Sequence, residues 1–184
     1  MYRGGGDHKR QEKIKQYLAF APQADEPEKS KLLWNINVLG AYIKRRVNLI
    51  LMAEGQETVT VGELARCLEE SLENLEAGGV VAALSIEDTC DITPEHALLS
   101  YDFFEAVIES AFSEIGSLSV TLKDSEKDFI LSIESKSRME QVPLLDDNWK
   151  KEYLASIGGH MVCKTKDKGV FYIALHLPKG GEAR

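Results

Sequence analysis

With 184 residues, 43% of them hydrophobic, the chain is long enough for one sizeable core and a smaller helical unit. Its formal charge of −8 is uneven: residues 1–50 carry 10 basic and 5 acidic side chains, whereas residues 57–114 carry 14 acidic ones against the single Arg66. Such a surface repels nucleic acid and free nucleotide at long range, so nucleic acid is not expected as a partner.

The N-terminal Met1-Tyr2-Arg3-Gly4-Gly5-Gly6 has no apolar signal region, and its glycine run reads as a cut linker or an expression scar. Residues 9–20 predict a short helix ending before Ala21-Pro22, and 22–27 a loop. From about Glu28 to Glu54 apolar residues recur at steps of three and four: Leu32, Ile36, Leu39, Ile43, Val47 and Ile50. Val38, Tyr42 and Leu49 form a second stripe beside them. A helix apolar on two faces needs two partners, the next helix and either a second chain or more of its own domain. On the same helix, Lys44-Arg45-Arg46 reads as a solvated face, or as a patch for anionic lipid or an acidic partner. The longest apolar run, at 47–52, is far short of the roughly 20 residues that a membrane span needs.

After a turn at 55–59, Thr60-Val61-Gly62-Glu63 is a capping box. It opens a helix to Ala77 that places Leu64, Leu68, Leu72 and Leu75 on one face and stops at Gly78-Gly79. The pattern then changes. Val80 to Ile86 reads as a strand and Glu87 to Ile92 as a polar loop; Thr93 and Pro94 start a helix over 94–115. Leu118, Val120 and Leu122 alternate as in a half-buried strand, as do Phe129, Leu131 and Ile133 after a turn at 124–128. Residues 134–145 look irregular. Asp146 is placed to cap a helix through Ile157, closed by Gly158-Gly159. A last hairpin, 161–166 with 170–177, turns at Asp167-Lys168-Gly169 and ends at Pro178. The predicted class is therefore α+β: a helical hairpin or bundle over 1–78, then over 79–184 an α/β sandwich whose helices cover one face of a mixed sheet.

This order resembles the ATP-binding domain of sensor histidine kinases and the related GHKL ATPases. Ile92-Thr93-Pro94-Glu95 through Phe112 looks like the helix carrying the family's N-box, and 129–134 like the strand entering its D-box. Ser156-Ile157-Gly158-Gly159-His160-Met161-Val162 is similar to the late helix-to-strand turn, and Tyr172 to Pro178 to the last strand with its Leu-Pro ending. Upstream, 35–46 and the helix to Ala77 occupy the place of the dimerisation hairpin. They resemble a group of Firmicutes-type sensor kinases with a membrane-embedded upstream part. The resemblance implies the cytoplasmic output portion of a longer receptor, a homodimer, and a response regulator or another signalling protein as partner.

Against that pattern, the nucleotide chemistry is depleted. An active domain holds magnesium with an N-box Asn, since magnesium wants hard oxygen ligands. Here that position is Ser110, or Glu109 on a one-residue shift; the neighbouring acid falls on Ala106, or on Glu105 after the shift. The D-box needs an Asp for the adenine amino group and then glycines, but the chain reads Glu134-Ser135-Lys136-Ser137-Arg138. The lid stretch, 140–151, contains no glycine to let backbone approach a phosphate. Ser110, Glu134 and Lys136 thus mark a degenerate pocket, with no metal site expected. His8, in the reversed order Asp7-His8, is a weak phospho-acceptor candidate. His96, His160 and His176 share no ligand spacing. Cys67, Cys90 and Cys163 fit neither a disulfide framework nor zinc, which points to a reducing cytosol. Cys67 reads as buried packing, and the acidic loop around Cys90 argues against a nucleophile.

Two functional readings follow. One is a catalytically degenerate, dimeric signalling scaffold without a cofactor. The other is an active or weakly active protein histidine kinase of a two-component system, which needs ATP and magnesium. An unrelated α+β binding domain is a third possibility; helices 94–115 and 147–157 on one face of the sheet would argue against it.

Overall fold

The computed structural model describes residues 7–111, 114–137, 145 and 149–179. Helix α1, Asp7–Phe20, leads through a 3-10 turn at Ala21–Gln23 into the long helix α2, Glu26–Ala53. Helix α2 starts earlier than the periodicity predicts because Asp25 caps it, accepting a hydrogen bond from the Glu28 amide at 2.9 Å, with Pro27 in the first turn. Strand β1, Val59–Thr60, runs directly into helix α3, Val61–Glu76. The predicted capping box is formed: Thr60 Oγ1 accepts from the Glu63 amide at 3.2 Å, and the Glu63 carboxylate accepts from the Thr60 amide at 2.8 Å.

Next come β2 (Val81–Ile86), β3 (Asp91–Ile92), helix α4 (Pro94–Ala111), β4 (Ile115–Asp124) and β5 (Asp128–Ser137). Helix α5 (Lys151–Ser156), β6 (His160–Asp167) and β7 (Val170–Pro178) follow. The main sheet has the order β2-β4-β5-β7-β6, with β2 and β4 parallel and the other pairs antiparallel. Leu118, Val120, Leu122, Phe129, Leu131, Ile133, Ile173 and Leu175 are buried on one face. Helix α3 packs on β2, α4 on β5 and β7, and α5 on β6, so α4 and α5 share that face. The opposite face carries Ser119, Thr121, Lys123, Ser132, Glu134 and Tyr172. This is the predicted one-sided α+β sandwich with a mixed sheet.

Several boundaries depart from the expectation. The polar loop at 87–92 contains β3, which pairs with β1 through Val59↔Ile92 and Thr60↔Asp91, while the Val61 amide bonds Cys90 O at 3.0 Å. Such a two-residue ladder has no periodicity to read. Helix α4 is described as far as Ala111, and Ile115, expected to end it, instead opens β4. Residues 134–137, expected to be irregular, continue β5, because Lys136 pairs with Val170 and the Ser137 amide bonds Gly169 O at 2.7 Å. Helix α5 begins at Lys151, and the predicted cap Asp146 lies outside the described residues. Helix α3 contacts α2, but it also covers β2 and α4, so the expected boundary at 78/79 falls between a helix and the strand beneath it. Among the described residues no helix is long and apolar enough to cross a membrane.

Candidate functional site

Helix α4 is enclosed on two sides, by the sheet and by helices α2 and α3. A helix buried all round takes its polar residues inside with it, and each must then find a partner. Ser100, Asp102 and Glu105 are all buried. The Asp102 carboxylate collects groups from two directions. From α2, its Oδ1 accepts hydrogen bonds from the Tyr42 hydroxyl at 2.6 Å and Arg46 Nε at 2.7 Å. From the turn before α5, Lys150 Nζ donates to Oδ2 at 2.9 Å, with Arg46 Nη2 3.5 Å from the same oxygen. Asp102 is 5% exposed and Arg46 4%, so this ionic cluster lies in the interior.

Each arm is held in place. Tyr42 stacks on Tyr101 with centroids 5.4 Å apart, and the guanidinium of Arg10 lies 4.1 Å from the centre of its ring. Burial, and then the Asp102 charge, push the Tyr42 phenol far above its ordinary range. Lys150 sits 4.7 Å from the centre of the Trp149 ring, which meets Phe103 edge-on at 5.5 Å. Its backbone is left-handed, φ 48° and ψ 27°, the one positive φ of a non-glycine among the described residues. Burial pulls the Lys150 ammonium down to about 7.

One turn further along α4, Glu105 is 1% exposed and its Oε2 has no hydrogen-bond partner among the described residues. Burial pushes this carboxyl up to about 8, with Arg10, Ser71 and Arg45 opposing the shift and Glu109 adding to it, so it is largely protonated at neutral pH. Ser71 also shares a 2.8 Å hydrogen bond with Tyr101, which ties α3 to α4. Glu109 forms an ion pair with Arg10, so α1 lies over the last part of α4.

The residues singled out from the sequence fall in separate places. Half-buried Ser110 donates its hydroxyl to Val107 O at 2.7 Å, back onto its own helix. Exposed His8 lines a groove of about 490 Å³ with Lys9, Lys13, Gln16 and Glu109. Glu134 and Lys136 are exposed on the sheet face turned away from α4, and Glu134 pairs there with Lys166. Ser135, between them, is the one that points inward. Strand alternation therefore separates Glu134 and Lys136 from Ser110 rather than bringing them together.

The basic run on α2 is not the solvated face it reads as. Only Lys44 is exposed; Arg45 Nε binds Glu70 at 2.9 Å and Arg46 is buried on Asp102. Cys67 is buried, as expected, and burial raises its thiol; burial and Asp124 raise that of Cys90. His160 and His176, paired across the last hairpin, stack with centroids 4.5 Å apart, yet no group of three metal ligands exists among the described residues. A largely apolar cavity of about 520 Å³ lies under α5, between Trp149, Leu154, Met161, Cys163 and Ile173. The cluster of Tyr42, Arg46, Asp102 and Lys150 was not legible as a site. Its one sequence signal is an Asp set directly among Tyr101, Phe103 and Phe104.

No protein-family model matches the chain. No curated protein matches it either. Among solved structures, it is similar to one described as a bacterial phosphotransferase, at 10% identity and TM-score 0.56 over 92% of this chain and 89% of that one. It is also similar to the histidine kinase domain of a blue-light activated histidine kinase from Erythrobacter litoralis (15% identity, TM-score 0.53, 91% and 95% of the two chains). A third similar structure is the catalytic domain of the histidine kinase ThkA (12% identity, TM-score 0.51, 67% and 97%). At these identities the likeness establishes the fold: an α+β sandwich of the histidine kinase ATPase type.

Proposed function

We propose that the chain is a signal-transduction module of the histidine kinase type with a degenerate nucleotide site, acting as a dimeric scaffold rather than as a kinase. The observation that carries this reading is how the end of α4 is used. Glu109 is engaged by Arg10, and the Ser110 hydroxyl by its own helix. Glu134 and Lys136 face away across the sheet. These residues do not fit a magnesium–nucleotide site, which needs free oxygen ligands converging on one point. The dimer draws support from apolar residues left exposed on the helices: Leu33, Val47 and Leu51 on α2, and Leu18 and Phe20 on α1. On this reading the module sits in the cytoplasm, takes its signal from an upstream membrane sensor, and hands it to a response regulator or another signalling protein.

Titration with ATP and magnesium, read by melting temperature, tests it. A ligand at 100 times its dissociation constant stabilises a protein by about 2.7 kcal/mol, so binding is easily seen. The expected result is no shift and no label on the protein from γ-labelled ATP. A clear upward shift with label on His8 establishes the alternative, an active ATP-dependent protein histidine kinase. A strict monomer in sedimentation at roughly tens of micromolar protein refutes the scaffold.

A further inference from the structure

One carboxylate serves both sides of α4. Tyr42 and Arg46 reach Asp102 from the helical hairpin, and Lys150 reaches it from the turn that opens α5. The two sides meet at the same two oxygens although Arg46 and Lys150 are separated by 104 positions (150 − 46) in sequence. Lys150 has, besides, a left-handed backbone that an L side chain adopts only when its surroundings enforce it.

We propose that Asp102 is a conformational coupler between the hairpin and the start of α5: α2 docked on α4 keeps the carboxylate dry and Lys150 gripped, and α2 withdrawn releases both. The physical reason is the exclusion of water. The Lys150–Asp102 hydrogen bond, closed off by Tyr42 and Arg46, has no water competing for it, whereas the same contact opened to solvent exchanges with water and holds Lys150 far less firmly. Once the grip weakens, the left-handed turn at Lys150 relaxes and Trp149 shifts against Phe103. Linkage makes the coupling reciprocal, so whatever fixes Lys150 also favours the docked hairpin. The coupling gives the signalling reading its internal route and rests on that reading only for its use. The nucleotide titration and the experiment below fail independently.

The chain has two tryptophans, Trp34 and Trp149, so labelling with 5-fluorotryptophan gives two fluorine resonances, assigned with Trp149→Phe. The perturbation is Tyr42→Phe, which removes one hydroxyl from Asp102 and keeps the ring stacked on Tyr101. Tyr42→Phe is expected to move the Trp149 resonance towards its position in Lys150→Met and to leave Trp34 in place. In the Lys150→Met background the same change is expected to move Trp149 markedly less. An unmoved Trp149 resonance overturns the proposal, and so does an equal shift in both backgrounds, which means the effect travels by another route. If Tyr42→Phe collapses the dispersion of both resonances, Arg46→Lys takes its place with the same outcomes.

Discussion

Replacing Asp102 by Asn keeps the shape of the side chain and removes its charge. Arg46 is then left as a guanidinium 4% exposed, permanently protonated, with an amide in place of its counter-ion. Breaking a buried ion pair on one side costs about 3–5 kcal/mol, because the orphaned charge has given up its hydration. Lys150 adds less, since burial already holds it near 7 and it escapes by losing its proton. The Tyr42 hydroxyl keeps an acceptor in the Asn oxygen. Against a total stability of about 5–15 kcal/mol for a domain, the expected loss is large but survivable. Urea unfolding at neutral pH measures it as a shift of the midpoint with an unchanged slope. The quadruple variant Tyr42→Phe, Asp102→Leu, Arg46→Met, Lys150→Met removes the charges and the hydroxyl that depends on them together and is expected to recover most of the loss. A cost for Asp102→Asn below about 1 kcal/mol, the level of a solvated surface pair, refutes the view of this cluster as a dry interior network.

Glu105 and Lys150 give stability opposite dependences on pH. The folded chain holds the Glu105 proton up to about 8 while the unfolded chain releases it near 4.5, so stability falls across that window, by on the order of 5 kcal/mol. Lys150 deprotonates in the folded chain near 7 but only near 10.5 in the unfolded one, so its contribution rises across that upper window. Glu105→Gln is expected to flatten the lower slope and to stabilise the protein at neutral pH by up to about 3 kcal/mol, read from urea titrations on both sides of pH 7; an unchanged slope refutes the assignment. Gly78→Ala places a Cβ in the ring of Trp34, whose indole nitrogen is anchored on Asn74 O at 2.9 Å, and is expected to cost about 1–3 kcal/mol in the same assay.

Local chemistry was the legible part of this fold. Thr60 and Glu63 cap α3 with both reciprocal bonds, Thr93 Oγ1 accepts from the His96 amide at 3.1 Å, and Gly169 turns the last hairpin with φ of 71°. Alternation in 118–122 and 129–133 gave the buried face of the sheet correctly. What could not be read depends on contacts distant in sequence. The stretch 134–137 has no apolar period because it is held by its neighbours' backbones, not by its own pattern. Lys44-Arg45-Arg46 looks uniform as letters, yet the helix turns each residue to a different surrounding. Asp102 sits among aromatic neighbours with nothing nearby in sequence to name its partners, which come from 60 and 56 residues upstream and 48 downstream. The resemblance pointed to Ser110, Glu134 and Lys136 along the chain, but it carried no information on which sheet face Glu134 and Lys136 would take.

The short ladder between β1 and β3 decides where this chain can be cut. Val59 and Thr60 fasten the entrance of α3 to the entrance of α4, while Leu64, Leu68, Leu72 and Leu75 roof the core shared with β2. A fragment excised at residue 79 loses that roof and leaves β3 without its mate. One excised just after Gly55, where the backbone already reverses at φ 76°, keeps both. Grafting a different helical input ahead of this sandwich therefore has a better splice point at Gly55 than at residue 79, with α3 travelling as part of the output half and the new helix required to cover α4 and replace Tyr42 and Arg46 on Asp102.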